Sequence, residues 1–216
     1  SLADKVDNIV ATFSRGLVPT GSQDPFALRR QALGLVNMLV EANWHISMTE
    51  LVEVAMDLLK VTDEVGREKI QNDFAEFIKL RLKNVLADST RYDVIDAVID
   101  DVDDIYSVTL KAAALGQFLA ATDAVKNIQS FVRISNLAKK ADSAEVTENL
   151  IQLEAEQVLY KAFEAVKIVA GELIDKKDFI GALDALKKLS APIDAFFDSV
   201  MVMDENLEVR KNRLAL

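Results

Sequence analysis

Residues 47–60 read Ser47-Met48-Thr49-Glu50-Leu51-Val52-Glu53-Val54-Ala55-Met56-Asp57-Leu58-Leu59-Lys60. Ser47 and Glu50 stand at the spacing of a capping box, in which each side chain satisfies an orphan amide at the start of a helix. The apolar residues behind them recur at three- and four-residue spacings, which gathers them on one face of a helix. The same punctuation continues on both sides of this stretch. Thr62-Asp63-Glu64 opens a helix running unbroken to about Ala87, with acids early and Arg81 and Lys83 late, as the helix dipole prefers. Asp24-Pro25 reads as an N-cap followed by Pro at the first helical position, opening a helix through about Ala42. Further helices are predicted over 92–99, 105–121, 124–140, 148–174, 178–189, 193–199 and 206–215, the last capped by Asn206. Runs of strict alternation are missing, and no fixed-period repeat is present. The expected fold is all-α, a helical bundle.

Composition narrows the function. The chain has 216 residues, half of them hydrophobic, with a mean hydropathy of +0.14, so it has the material for a sizeable core and is not disordered. Seven glycines and three prolines are too few for an all-β fold, and no glycine cluster could cradle a phosphate. With no cysteine there is no disulfide, thiolate metal site or Cys nucleophile. One histidine, His45, leaves little for Ser/His/Asp catalysis or imidazole ligation of a metal. No apolar run reaches membrane-spanning length and no leader pattern opens the chain, so the expected location is cytoplasmic. Segment 16–25 holds two of the glycines and two of the prolines and reads as an extended loop, which leaves residues 1–15 looking like part of something cut short.

Charge is uneven. The net charge is −10, which argues on average against nucleic acid or an anionic membrane. Yet Lys126, Arg133, Lys139 and Lys140 lie in 124–141 with no acid among them. At about 100° per residue, Lys126, Arg133 and Lys140 fall within roughly 40° of one another. Gln129 and Asn136 lie beside them, while Ile128, Phe131, Val132 and Ala138 are expected to face the core, with Leu137 an exception near the basic stripe. Cations for phosphates and amides for base edges are what a reader of single-stranded or looped RNA needs. The same pattern also describes the solvated face of an ordinary amphipathic helix.

Other candidates carry similar alternatives. Arg29-Arg30 reads as a phosphate clamp, a subunit contact or plain helix surface. Trp44 and His45 read as a stacking platform or, more simply, as a helix end closed by an inward indole. Six aspartates in 93–104 suggest a cation site, but the glycine and distal glutamate of a calcium loop are missing, which favours a solvated acidic turn. Met201 and Met203, close to Phe196 and Phe197, read as core filling. No carboxylate pair has a neighbour to tune it as acid and base, so no catalytic residue and no metal ligand is expected.

Leu2-Ala3-Asp4-Lys5-Val6-Asp7 and the loop Pro19-Thr20-Gly21-Ser22-Gln23-Asp24-Pro25-Phe26-Ala27-Leu28-Arg29-Arg30-Gln31-Ala32-Leu33-Gly34 resemble the bacterial glycyl-tRNA synthetase beta subunit. So do Arg91 to Val98, Ala191 to Met203 and Asn212-Arg213-Leu214-Ala215-Leu216. Phe131 to Leu137 with Lys139-Lys140 is similar to the first helix of a DALR-type anticodon-binding domain, and Arg213 to Leu216 match the helix on which that domain closes. Asp184-Ala185-Leu186-Lys187 spells the domain's name by coincidence, since it falls after that helix.

The resemblance implies a C-terminal fragment of a longer subunit. Residues 1–122 would be a helical body segment beginning at the tail of an HD-like domain, whose eponymous His-Asp pair is absent. Residues 123–216 would be the anticodon-binding bundle. It further implies RNA contacts from Lys126, Gln129, Arg133, Asn136, Lys139, Lys140 and Arg213, with tRNA(Gly) and the catalytic alpha subunit as partners in a heterotetramer. Arg29 and Arg30 remain candidates for the partner contact. No cofactor is expected on this chain itself; ATP and Mg belong to the holoenzyme, a ligase charging tRNA with glycine. The alternative is a helical protein-interaction scaffold that docks the alpha subunit.

Overall fold

The predicted cap at Ser47 forms, but with a different helper. In the computed structural model, which describes residues 1–20 and 23–216, Ser47 Oγ accepts a hydrogen bond from Glu50 N (3.1 Å) at the start of a helix over Met48–Leu58. The second carboxylate at this helix end comes from Asp103, not Glu50. Asp103 Oδ1 accepts from Thr49 N (2.8 Å) and from Ser47 Oγ (2.9 Å), and its carbonyl accepts from Met48 N (2.8 Å). A helix start is thereby tied to a segment more than fifty residues away.

Among the described residues there are eleven α-helices and no strand, so the fold is all-α. The chain divides into two units, Ser1–Gly116 and Gln117–Leu216. In the first lie α1 (Leu2–Phe13), α2 (Leu28–Ala42), α3 (Met48–Leu58), α4 (Glu64–Ala87), α5 (Tyr92–Val98) and most of α6 (Ile105–Ala120). Helix α1 packs on α2, α3 and α4. It buries Val6, Ile9, Val10 and Phe13, and the Phe13 ring meets Phe77 edge-on with centroids 5.3 Å apart. Side chains of this size contribute about 1.5–3 kcal/mol each on burial. Residues 1–15 are therefore part of the core of unit 1.

The start of α2 differs from its prediction. Asp24 does cap, its carboxylate accepting from Leu28 N (2.8 Å) and Arg29 N (3.0 Å). The backbone first turns through Ala27 in the left-handed region (φ 52°), so the helix begins at Leu28 and not at Pro25. Gly21 and Ser22 of the predicted loop lie outside the described residues. Helix α4 runs unbroken as predicted, with Asp63 accepting from Gly66 N (2.8 Å).

Replacing Asp103 by alanine should destabilise unit 1 by about 1–2 kcal/mol, the usual effect of a lost cap. Burial alone would raise the Asp103 carboxyl, but the bonds from Thr49 and Ser47 outweigh it and hold it below the ordinary carboxylate range. A carboxyl lowered on folding adds stability above its unfolded pKa and loses it as the pH falls through the folded one. The gap between native and Asp103→Ala melting temperatures should therefore be full at pH 7 and close below about pH 4.

Unit 2 holds α7 (Ala124–Ala138), a 3-10 turn (Glu148–Leu150), α8 (Glu154–Asp175), α9 (Phe179–Lys187), α10 (Ser190–Ser199) and α11 (Leu207–Ala215). Helix α8 packs on α9 and α10, and α10 on α7. Leu159, Val166, Leu189, Ile193 and Phe196 form the centre of the core, with Phe131, Ile134 and Leu137 of α7 packed against it. The predicted start of the long helix at 148 is displaced to 154, because the Glu156 carboxylate turns back to accept from Gln152 N (2.8 Å) and Leu153 N (2.7 Å). Beyond α10 the chain alternates. Val200 and Val202 point inward, which turns Met201 (73% exposed) and Met203 outward, against the expectation that they fill the core.

Candidate nucleic-acid interface

Helix α7 carries the predicted basic stripe, but rolled about its axis. Its buried positions are Ala124, Asn127 and Ser130, with Phe131, Ile134 and Leu137 partly buried beside them. Ile128, Val132 and Ala138, expected inside, are exposed, and Leu137 is inside. The reason is a polar seam between α7 and α10. Ser190 Oγ donates to Asn127 Oδ1 (2.7 Å), and Ser130 Oγ donates to Asp194 Oδ1 (2.8 Å). Above these, the Arg133 guanidinium lies over the Phe197 ring, 4.3 Å from its centroid. The three rungs climb both helices in the same direction, so α7 and α10 run parallel here. Pairing of the Asn127 oxygen and the Ser130 hydroxyl turns these residues inward and sends valines out, while Asn127 Nδ2 stays buried with no partner among the described residues.

Every predicted α7 site residue lies on the exposed side: Lys126, Gln129, Arg133, Asn136, Lys139 and Lys140. They are not equally available. Lys126 Nζ lies 3.6 Å from Asp194 Oδ2, which partly neutralises it. Arg133, Lys139 and Lys140 have no side-chain hydrogen bond or carboxylate partner among the described residues. Beyond the amides, on the side away from Lys126 and Arg133, run Val125 (68% exposed), Val132 (51% exposed) and the less exposed Ile128. Lys139 and Lys140 also follow the last turn of α7, where cations complement the helix dipole.

Arg213 is a correction. It is buried and not a surface cation: its side chain is 4% exposed and that of its partner Glu156 is 1% exposed. Arg213 Nε donates to Glu156 Oε1 (2.6 Å), and Nη1 donates to Asp204 Oδ2 (2.7 Å) and to the Met201 carbonyl (3.0 Å). Burial alone would raise the Glu156 carboxyl, but Arg213 and the Leu153 and Gln152 amides together hold it below the ordinary range. Arg213 locks α11 to the start of α8 and to the segment after α10. Its basic place in the last turn of a helix gave no local sign of this.

Two stretches of this chain match known families. Residues 1–100 match the sequence model described as glycyl-tRNA synthetase beta subunit, and residues 128–216 match the DALR anticodon binding domain. The whole chain aligns with the glycine–tRNA ligase beta subunits of Clostridioides difficile (39% identical over 218 residues), Desulforamulus reducens (40% over 220) and Bacillus subtilis (39% over 217). Over its whole length the chain is similar to glycyl-tRNA synthetase beta subunits. It covers 32% of the length of the first two of these relatives and 30% of the third, so it spans about a third of each. The DALR match takes in α7 from Ile128 onward, including Arg133 and Asn136.

The remaining candidates lie in unit 1. Arg29 is half-buried, with its amide on Asp24, and Arg30 is exposed. Trp44 is 51% exposed, which overturns the inward indole; α2 ends instead on Asn43 in the left-handed region (φ 56°). His45 Nδ1 lies 2.8 Å from Asp104 Oδ2, and Ser107 Oγ donates to the same carboxylate oxygen (2.6 Å). Serine, histidine and aspartate are thus brought together, but not as a catalytic triad. Serine and carboxylate share the Nδ1 side of the ring, whereas a triad sets the hydroxyl on Nε2 and the carboxylate on Nδ1. The acidic run is similarly spent on structure. Asp93 pairs with Arg91, Asp96 with Lys83 and Asp100 with Lys79, while Asp101 accepts from Asp103 N. Among the described residues no three His, Asp or Glu side chains gather as a divalent cation requires, and no helix is long and apolar enough to cross a membrane.

Proposed function

We propose that this chain is the tRNA-holding part of a glycine–tRNA ligase beta subunit, and that α7 of unit 2 receives the anticodon stem-loop of tRNA(Gly). The observation that carries the reading is a coincidence of place. The helix with unpaired exposed cations, Arg133, Lys139 and Lys140, is the helix on which the anticodon-domain match begins. The cations would hold phosphates, which fixes register, and the Gln129 and Asn136 amides would test base edges, which gives specificity. Residues 1–122 would serve as the body segment and 123–216 as the anticodon-binding domain. Glycine activation with ATP and Mg²⁺ is assigned to the alpha subunit of a cytoplasmic heterotetramer, leaving this chain with binding and no bond chemistry.

A second reading, for unit 1, is favoured by one observation. Arg30 and Leu33 are exposed along α2, with Phe26 exposed just before it, giving a mixed cationic and apolar strip suited to docking the alpha subunit. Titrating labelled tRNA(Gly) and an anticodon-swapped tRNA at two salt concentrations tests the first reading. A preference for the native anticodon is expected, and it should disappear in the double variant Arg133→Ala, Asn136→Ala. Equal binding of both RNAs by the native chain would overturn the reader and leave the docking scaffold.

A further inference from the structure

Arg133 differs from the other α7 cations in what lies beneath it. Its guanidinium sits 4.3 Å above the Phe197 ring centroid and makes no hydrogen bond or ion pair among the described residues. Phe197 in turn meets Phe196 edge-on, centroids 5.5 Å apart and planes at 70°. Phe196 is buried in the core of unit 2. A chain of ring contacts therefore runs from the core, through two rings, to a cation at the surface. Below it, Ser130 on Asp194 and Asn127 on Ser190 fix the helix pair in register. Phe197 lies beneath the guanidinium carbon, and the exposed guanidinium N–H groups have no hydrogen-bond or carboxylate partner among the described residues.

This arrangement is costly as plain helix surface and useful as a platform. A solvated arginine ordinarily keeps its rotamer freedom, and ordering such a side chain carries an entropic penalty that a ring contact partly offsets. A pre-ordered guanidinium plane is suited to stacking on an unpaired nucleobase, since guanidinium planes and aromatic rings are the surfaces on which splayed RNA bases settle. Its surroundings fit the same ligand. Exposed Val125 and Val132 offer apolar contact to base faces, which a duplex backbone would not use, and Gln129 and Asn136 stand next to them.

We infer that Phe197 and Arg133 form a stacking platform for one unpaired base of an RNA loop, Arg133 being sandwiched between the ring and the base, with Phe197 as its positioning residue. This rests on the proposed function of α7 and goes further by naming the residue that stacks and the one that positions it.

The test uses the full chain and an anticodon stem-loop of tRNA(Gly) carrying 2-aminopurine at each loop position in turn. Native protein should quench one position on binding. Arg133→Lys keeps the charge and loses the plane; it should abolish that quenching and weaken binding about ten-fold, the scale of one lost stacking contact. Phe197→Leu should do the same with unchanged far-UV dichroism, and Phe197→Tyr should restore both. If the loop binds natively but Arg133→Lys leaves quenching and affinity untouched, the platform is wrong while the RNA-holding role stands. If no stem-loop binds even at low salt, both are overturned.

Discussion

Replacing Arg213 by methionine is expected to destabilise unit 2 by about 3–5 kcal/mol, the cost of leaving a buried charge without its partner. Glu156 is the charge left behind, and it cannot turn to water, since its side chain is 1% exposed. It would keep the amides of Gln152 and Leu153 and lose the guanidinium. Asp204 and the Met201 carbonyl would lose their donor in the same step, loosening the segment between α10 and α11. Lysine should rescue little, because one ammonium cannot span three acceptors set for a planar fork. Urea unfolding followed by far-UV dichroism measures the loss. The sign of the pH dependence separates this account from simple loss of packing. The pair holds the Glu156 carboxyl below its ordinary range, so the stability it gives is full at neutral pH and fades as the pH falls through the folded pKa. The deficit of Arg213→Met should therefore be largest near pH 7 and narrow below about pH 4. A deficit independent of pH would mean that the salt link contributes nothing and only the packing of the arginine stem matters.

The features legible in the sequence are those written within a few residues of one another. Ser47 and Asn206 cap the helices they were expected to cap, because a cap is a contact between a side chain and an amide two or three positions on. The all-α class follows from the same local signals. The errors fall where a partner lies far along the chain. Apolar spacing turned α7 the wrong way because Asn127 and Ser130 are paid for by Ser190 and Asp194, more than sixty residues later. Arg213 read as a surface cation since Glu156, 57 residues earlier, gives no local sign of being buried. Nothing near Phe197 in sequence showed that Arg133, 64 residues earlier, would lie over it. The stripe itself survived the error, because its cations span a narrow arc and either roll of the helix leaves that arc in solvent.

The second large effect concerns salt. Replacing Arg133, Lys139 and Lys140 together by alanine should weaken tRNA binding on the order of a hundred-fold at about 50 mM salt, if each holds one phosphate of a single-stranded loop. Counterion release gives each such contact a slope near −0.7 in log affinity against log salt. Four cations would give a slope near −3, and the triple variant should retain less than about −1. Lys126 is the informative control. Because Asp194 already lies 3.6 Å from its ammonium, Lys126→Ala should change the slope by less than any of the other three. The variant Asp194→Asn should raise affinity by freeing Lys126, while still accepting the Ser130 hydroxyl that fixes the seam. The acidic balance of the chain sets the background, because a net charge of −10 opposes RNA binding on average. Binding should therefore fall faster with the loss of these three cations than with the loss of any three lysines elsewhere. A triple variant with an undiminished slope would place the phosphate contacts off α7 altogether.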